Sequence, residues 1–219
     1  MKINIITRCT RAENLEQVKK SIFSNVPDQI SIDWHIIFDT AKINTIDKQL
    51  MQSLLKENIY LYFNHCGDFK CQHYYTNKLI ADVIDLGYIY ILDDDNIIHE
   101  NFYEKVLEYS DKKVLIFSQW VGGFDFSGLD IRTAKPENVK VGKIDCAQYF
   151  VDRDLIVKHD CFYGDGYCAD GFFITKLFSL APQEFAFEKD VLCYYNYITE
   201  YGDKDPRSLD YSLESLSVS

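Results

Sequence analysis

A chain of 219 residues can bury a substantial core as one large domain, and it is too short for more than two small ones. Its net charge of −11 repels a phosphate backbone, which argues against general nucleic-acid binding, and no apolar run approaches the ~20 residues that span a bilayer. Aromatic residues are abundant while Gly and Pro are sparse, so a folded globule is expected. The seven cysteines form an odd count without regular spacing, and the chain does not open on a signal-peptide core; reduced thiols and a cytoplasmic location are therefore expected.

In chain order, KINIIT (Lys2 to Thr7) reads as a buried strand, and NLEQVKKSIF (Asn14 to Phe23) follows with Leu15, Val18 and Ile22 on one helical face. DWHIIFD (Asp33 to Asp39) starts a second strand, a helical pattern covers about Ile46 to Leu55, and NIYLYF (Asn58 to Phe63) is strand-like. A helix with Leu79, Ile80, Val83 and Ile84 on its inner face ends at Gly87, and YIYIL supplies the next strand. This alternation predicts an α/β fold with a mostly parallel central sheet flanked by helices.

The second half is less regular. KKVLIFSQWV (Lys112 to Val121) reads as a strand, Gly122 to Lys143 as a long loop or hairpin, and IDCAQYFV (Ile144 to Val151) as a strand leading into a short helix at Asp152 to His159. YGDGYCADGFFITKLF (Tyr163 to Phe178) is a Gly-rich turn entering a helix, and CYYNYI (Cys193 to Ile198) is a late strand. One domain is expected over residues 1–205, divided into a ligand-binding half at 1–97 and an acceptor-side half at 98–205, with 206–219 as a tail.

Ligands of parallel α/β sheets collect at the carboxyl ends of the strands, where Thr7, Arg8, Asp39 and the triplet Asp93-Asp94-Asp95 lie. Three consecutive carboxylates repel one another unless a cation offsets the charge. A hard divalent ion, Mg²⁺ or Mn²⁺, takes oxygen ligands and suits such a cluster. The alternative is a solvated acidic turn with Asp95 or Asn96 capping a following helix.

A β-α-β-α-β-α-β start closed by ILDDDN (Ile91 to Asn96) resembles the GT-A glycosyltransferases and their Asp-x-Asp motif, with Asp93 and Asp95 in the outer positions. The resemblance implies a single GT-A domain and a metal-dependent transfer of a sugar from a nucleotide diphosphate donor, by family likeness a UDP-sugar, to a glycan or other hydroxyl acceptor, with inversion. Asp93 and Asp95 would then bind Mn²⁺ or Mg²⁺ beside Asp94. Thr7, Arg8 and Asp39 would border the nucleoside. Tyr75-Thr76-Asn77-Lys78 stands where many related enzymes carry an Ala-Arg-Asn segment, so Asn77 matches, and Lys78, like Arg8 and Arg11, becomes a candidate diphosphate contact. The DDDN form is also similar to the glucuronyltransferase branch. Inverting members place an acid near a helix start on the acceptor side, which points to Asp170, with Asp165 as second candidate, for deprotonating the acceptor hydroxyl.

Two other readings compete. The haloacid dehalogenase-like phosphatases share features with ILDDDNI, VLIFS ending in Ser118, and GDGYCAD from Gly164 to Asp170, although Ile97 replaces the usual Thr or Val and three β-α units precede the first motif. HCGDFKCQH (His65 to His73) offers two His and two Cys that could hold zinc in a non-catalytic binding module, yet nine residues seldom wrap one ion tetrahedrally. Trp120 beside Gly122-Gly123 could stack on a sugar, Asp145 and Gln148 could reach donor or acceptor hydroxyls, and His35 and His159 read as satisfied or solvated residues.

Overall fold

The structure is a computed structural model that describes residues 1–121 and 131–198. The first half is the expected alternation: β1 (Lys2–Cys9), α1 (Leu15–Phe23), β2 (Ser31–Asp39), α2 (Lys48–Leu54), β3 (Ile59–Asn64), α3 (Phe69–Lys78) and β4 (Tyr88–Ile91). Apolar residues at helical spacing (Leu15, Val18, Ile22) bury one side of α1. Asp47 and Asp68 accept backbone N–H bonds that start α2 and α3. A π-helical turn, Leu79–Val83, continues α3 and buries Leu79 and Ile80. It leaves Val83, expected on the inner face, 50% exposed.

The second half contains β5 (Ile97–Ile98), α4 (Phe102–Glu108), β6 (Val114–Trp120), β7 (Ile131–Arg132), β8 (Tyr149–Asp152), α5 (Arg153–Lys158), α6 (Ala169–Leu180) and β9 (Phe185–Tyr194). All nine strands join one sheet in the order β3-β2-β1-β4-β8-β6-β9-β5, with β7 paired to β6. β1, β2, β3, β4, β6 and β9 share one direction, and β5, β7 and β8 run against it. This is the mixed, mostly parallel α/β architecture that the alternation predicted. The late strand lies mainly before Cys193–Ile198, and Ile144–Gln148 contributes a 3₁₀ turn rather than strand.

Side chains alternate across the sheet, so neighbours along a strand serve opposite layers. Ile5, Trp34, Phe38, Tyr90 and Phe117 pack with α1 and α4, whereas Ile6, Ile37, Ile89, Ile91 and Ile116 pack with the π turn, α5 and α6. Asn4, buried in β1, donates to the carbonyls of Leu86 and Tyr88 and so fixes the turn into β4. No helix among the described residues is long and apolar enough to cross a membrane.

One expectation is corrected. Cys66 and Cys71 are disulfide-bonded across the start of α3, with Cα atoms 5.2 Å apart, so the thiols are not all reduced. The β3–α3 loop brings the two side chains into bonding range, which spacing alone did not indicate.

Gly87 turns the chain into β4 at φ +99°, and a Cβ there would lie 2.7 Å from the Lys2 carbonyl oxygen. Gly87→Ala is expected to cost about 1–3 kcal/mol through backbone strain and this clash. The check is the urea midpoint of unfolding, and an unchanged midpoint would contradict the packing described here.

Candidate functional site

The site forms where β1 and β4 end side by side, because Ile6 and Ile91 are register partners and the chain leaves both strands on the same edge. Arg8, nearly buried, donates through Nε and Nη2 to the two carboxylate oxygens of Asp93, at 2.7 and 2.6 Å. Such a bidentate pair fixes geometry as well as charge. Asp94 is buried and accepts from the backbone N–H and hydroxyl of Thr10, from the backbone N–H of Arg11 and from the Arg11 guanidinium. Arg11 also reaches Asp95 Oδ2 at 2.6 Å. The cations that offset the crowded triplet are therefore, first of all, two arginines of the chain itself.

Compensation is incomplete. Burial, opposed by Arg11 and aided by the charges of Asp93 and Asp94, pushes the Asp95 carboxyl up to about 7. Burial also raises Asp94, against the pull of Arg11 and its hydrogen bonds.

A second group of acids faces the first. Asp145 precedes the 3₁₀ turn Cys146–Gln148 and caps it through the Ala147 N–H, while Gln119 of β6 donates to the same oxygen at 3.1 Å. Arg132 of β7 lies 3.8 Å from the other oxygen and packs over the Tyr195 ring. Asp170 sits in the first turn of α6, whose N-cap is Cys168, and accepts from the Gly171 N–H. Ligand-capable atoms of Asp145, Cys146 and Asp170 all lie within 4.8 Å of one another. Cys146 Sγ is 3.1 Å from Arg8 and 3.7 Å from Asp93, which joins the two groups. Burial, then the charge of Asp145, lifts Asp170 to about 6, while the Gly171 N–H and Arg8 oppose the rise.

The remaining expected site residues have other partners. Thr7 is fully buried and accepts from Trp34 Nε1. Asp39, also buried, accepts from the N–H groups of Ala41, Cys66 and Gly67; burial works against its ionised form, but these amides hold its carboxyl below the usual range. Asn77 exchanges hydrogen bonds with the backbone of Tyr163, so it fastens the loop that leads to Asp170. Lys78 pairs with Asp82 beside a groove of about 520 Å³ between β3 and α3, which none of the clustered acids lines. Asp165 is exposed and paired with Lys70 at 2.6 Å. Gln148 is buried on backbone carbonyls and on the Asp145 N–H.

The competing readings fare less well. Ser118 is buried and accepts from the Ala134 N–H. The zinc reading needs two thiolates where the structure has a disulfide, and His73 turns to the Gly164 carbonyl. Trp120 is buried; Gly122 and Gly123 lie outside the described residues. The short β7 hides Arg132 inside a loop-like stretch, and Gln119 looks like an ordinary strand residue, so neither was marked by sequence pattern.

No protein-family model matches the chain, and no curated protein matches it either. Among solved structures, the chain is similar to S. aureus TarS residues 1–349, with a TM-score of 0.64 at 12% identity over 89% of this chain and 60% of that one. The same segment in complex with UDP gives 0.64 at 13% identity over the same shares. In complex with UDP-GlcNAc it gives 0.56 at 13% identity over 89% and 58%. The chain thus has the fold of TarS and spans about 60% of its 1–349 segment and 36% of the longer TarS structure.

Two outcomes are expected. Asp94→Ala strips the β1–α1 loop of its shared acceptor and should cost about 3 kcal/mol, the low end for a broken buried pair because Arg11 is 38% exposed; denaturant titration measures it. Asp95 and Asp170 have folded pKa values above the ordinary carboxyl value near 4, so the stability they contribute is complete below about pH 4 and lost as pH rises to about 7. In chelator-treated protein Asp95→Asn should flatten that decline, measured as unfolding midpoints at pH 5 and pH 8, and an equal slope in the variant would refute the assignment.

Proposed function

We propose that the chain is a glycosyltransferase that moves a sugar from a nucleotide diphosphate donor, UDP foremost, to an acceptor hydroxyl with inversion. The observation that carries this reading is the convergence of Asp170 and Asp145 on the Asp93–Asp95 turn, across Cys146, at the carboxyl ends of the sheet. The fold of TarS, which has been crystallised with UDP and with UDP-GlcNAc, supports it.

Asp170 serves as the base. Its carboxylate takes the proton of the acceptor hydroxyl as that oxygen bonds to the anomeric carbon, and the bond from that carbon to the diphosphate breaks, its electron pair leaving with the nucleotide. A carboxyl held near 6 is mostly ionised at pH 7 yet more basic than an ordinary aspartate, which suits this task.

Asp95, with Asp93, would hold Mn²⁺ or Mg²⁺. The donor set fits: both are oxygen ligands, Asp95 is mostly buried with its charge only partly matched by Arg11, and Asp93 stays 28% exposed while held by Arg8. When bound, the ion supplies positive charge for the departing diphosphate. Arg8 and Arg11 orient the acids and add positive potential at the same end of the sheet, and Thr7, Asp39 and Asn77 shape the surrounding loops. Residues 1–97 form the donor half and 98–205 the acceptor half of one domain in this reading.

UDP with Mn²⁺ should raise the Tm of the wild-type protein by several degrees, and Asp95→Ala should abolish that rise without changing the far-ultraviolet circular dichroism. Asp170→Asn should keep the rise and lose turnover by about 10²-fold or more. A UDP response that survives in Asp95→Ala would remove the triplet from the donor site.

A further inference from the structure

The loop before Asp170 is tied down and yet displays an aromatic ring. Asn77 holds the backbone of Tyr163 in both directions, His73 contacts the Gly164 carbonyl at 3.1 Å, and Lys70 pairs with Asp165. Tyr167 projects from this anchored segment at 78% exposure, the highest of any large apolar or aromatic side chain among the described residues. Phe69 meets it edge to face, with centroids 5.6 Å apart. A ring displayed on a tied-down loop presents its face to a ligand without an ordering cost.

Its surroundings indicate which ligand. Tyr167 stands three residues before Asp170, and its hydroxyl is near enough to Tyr195 to add to the forces that raise the Tyr195 phenol, after burial and Asp145. Tyr195 in turn packs under Arg132 at the Asp145 side of the site. The ring thus lies next to the turn that enters α6 and carries Asp170. The cluster sets five carboxyls (Asp93, Asp94, Asp95, Asp145, Asp170) against three guanidinium groups (Arg8, Arg11, Arg132), on a chain of net charge −11. Such a surface repels a polyanion. A sugar ring without charge instead presents C–H groups to an aromatic face and hydroxyls to the exposed Lys70–Asp165 pair.

We propose that Tyr167 is the stacking platform for an uncharged pyranose acceptor, whose ring lies on the tyrosine face and whose reactive hydroxyl is thereby directed to Asp170. This inference rests on the transferase reading and narrows its acceptor to a neutral sugar. The platform serves the acceptor rather than the nucleobase, because it belongs to the loop that delivers the base.

The test titrates the wild-type protein, Tyr167→Ala and Tyr167→Phe with chitotetraose, cellotetraose and maltotetraose by saturation-transfer NMR, with a sulfated heparin tetrasaccharide as the anionic probe. UDP with Mn²⁺ is followed separately by Tm. At least one neutral tetrasaccharide should bind, Tyr167→Ala should weaken it about ten-fold, and Tyr167→Phe should stay within about three-fold. The UDP response should be the same in all three proteins. The proposal is overturned if no neutral tetrasaccharide binds a protein that still binds UDP, if the heparin fragment binds in preference, or if Tyr167→Ala loses the UDP response. Tyr167-dependent sugar binding without any UDP response would leave the platform standing and sink the transferase reading.

Discussion

Everything at the carboxyl edge of the sheet depends on the lattice of Arg8, Arg11 and the three aspartates. Three adjacent carboxylates at the end of a buried strand would drive the β4–β5 turn into solvent if left alone. Two guanidinium groups from the end of β1 instead pull the turn back onto the sheet, and the adjacent Thr10 and Arg11 amides complete the acceptor capacity of Asp94. The middle aspartate is thereby committed to structure. Its outer neighbours keep partial exposure, and Asp95 also keeps charge that Arg11 only partly matches.

The same division of labour extends around the rim. Asp39, Asn77 and Thr7 sit at strand ends or on the helix before the acidic triplet, where sequence position marks them as ligand contacts, yet each is engaged within the protein. Asp39 gathers the amides of the β3–α3 loop, and Asn77 ties α3 to the loop that carries Asp170. The proposed base, Asp170, therefore rests on a chain of contacts that begins at the β3–α3 loop. A change in the α3 region would act on Asp170 by moving this loop.

Legibility in the sequence followed the range of the interactions. Local periodicity exposed β1 to β4 and the helices between them, because apolar spacing and turn residues are encoded within ten or so positions. β5 and α4 are short, and β9 hides behind Glu188, Lys189 and Asp190, polar residues beside which the pairing with β6 shifts register. At the site, the acidic triplet was conspicuous as a run of like charges, and Arg8 and Arg11 were visible as nearby cations. Their pairing across about 85 positions was not, nor was the approach of Asp145 to Asp170, since such contacts depend on which strands become neighbours. The Cys66–Cys71 bond was misjudged for a related reason. An odd cysteine count bears on the chain as a whole, whereas pairing is decided by one turn.

The charge that remains after internal pairing is the more informative quantity. Arg8 satisfies Asp93, and Arg11 is shared between Asp94 and Asp95, so the second pairing is divided and Asp95 keeps an elevated proton affinity. Across Cys146, Asp145 leans on a single guanidinium at 3.8 Å and raises Asp170 in turn. A fold selected for stability alone would replace such acids with neutral or apolar residues, because an incompletely matched buried charge is a net cost. Their clustering at one edge, with Asp95 and Asp170 both raised by burial and by neighbouring acids, is the physical basis of the proposed metal and base roles.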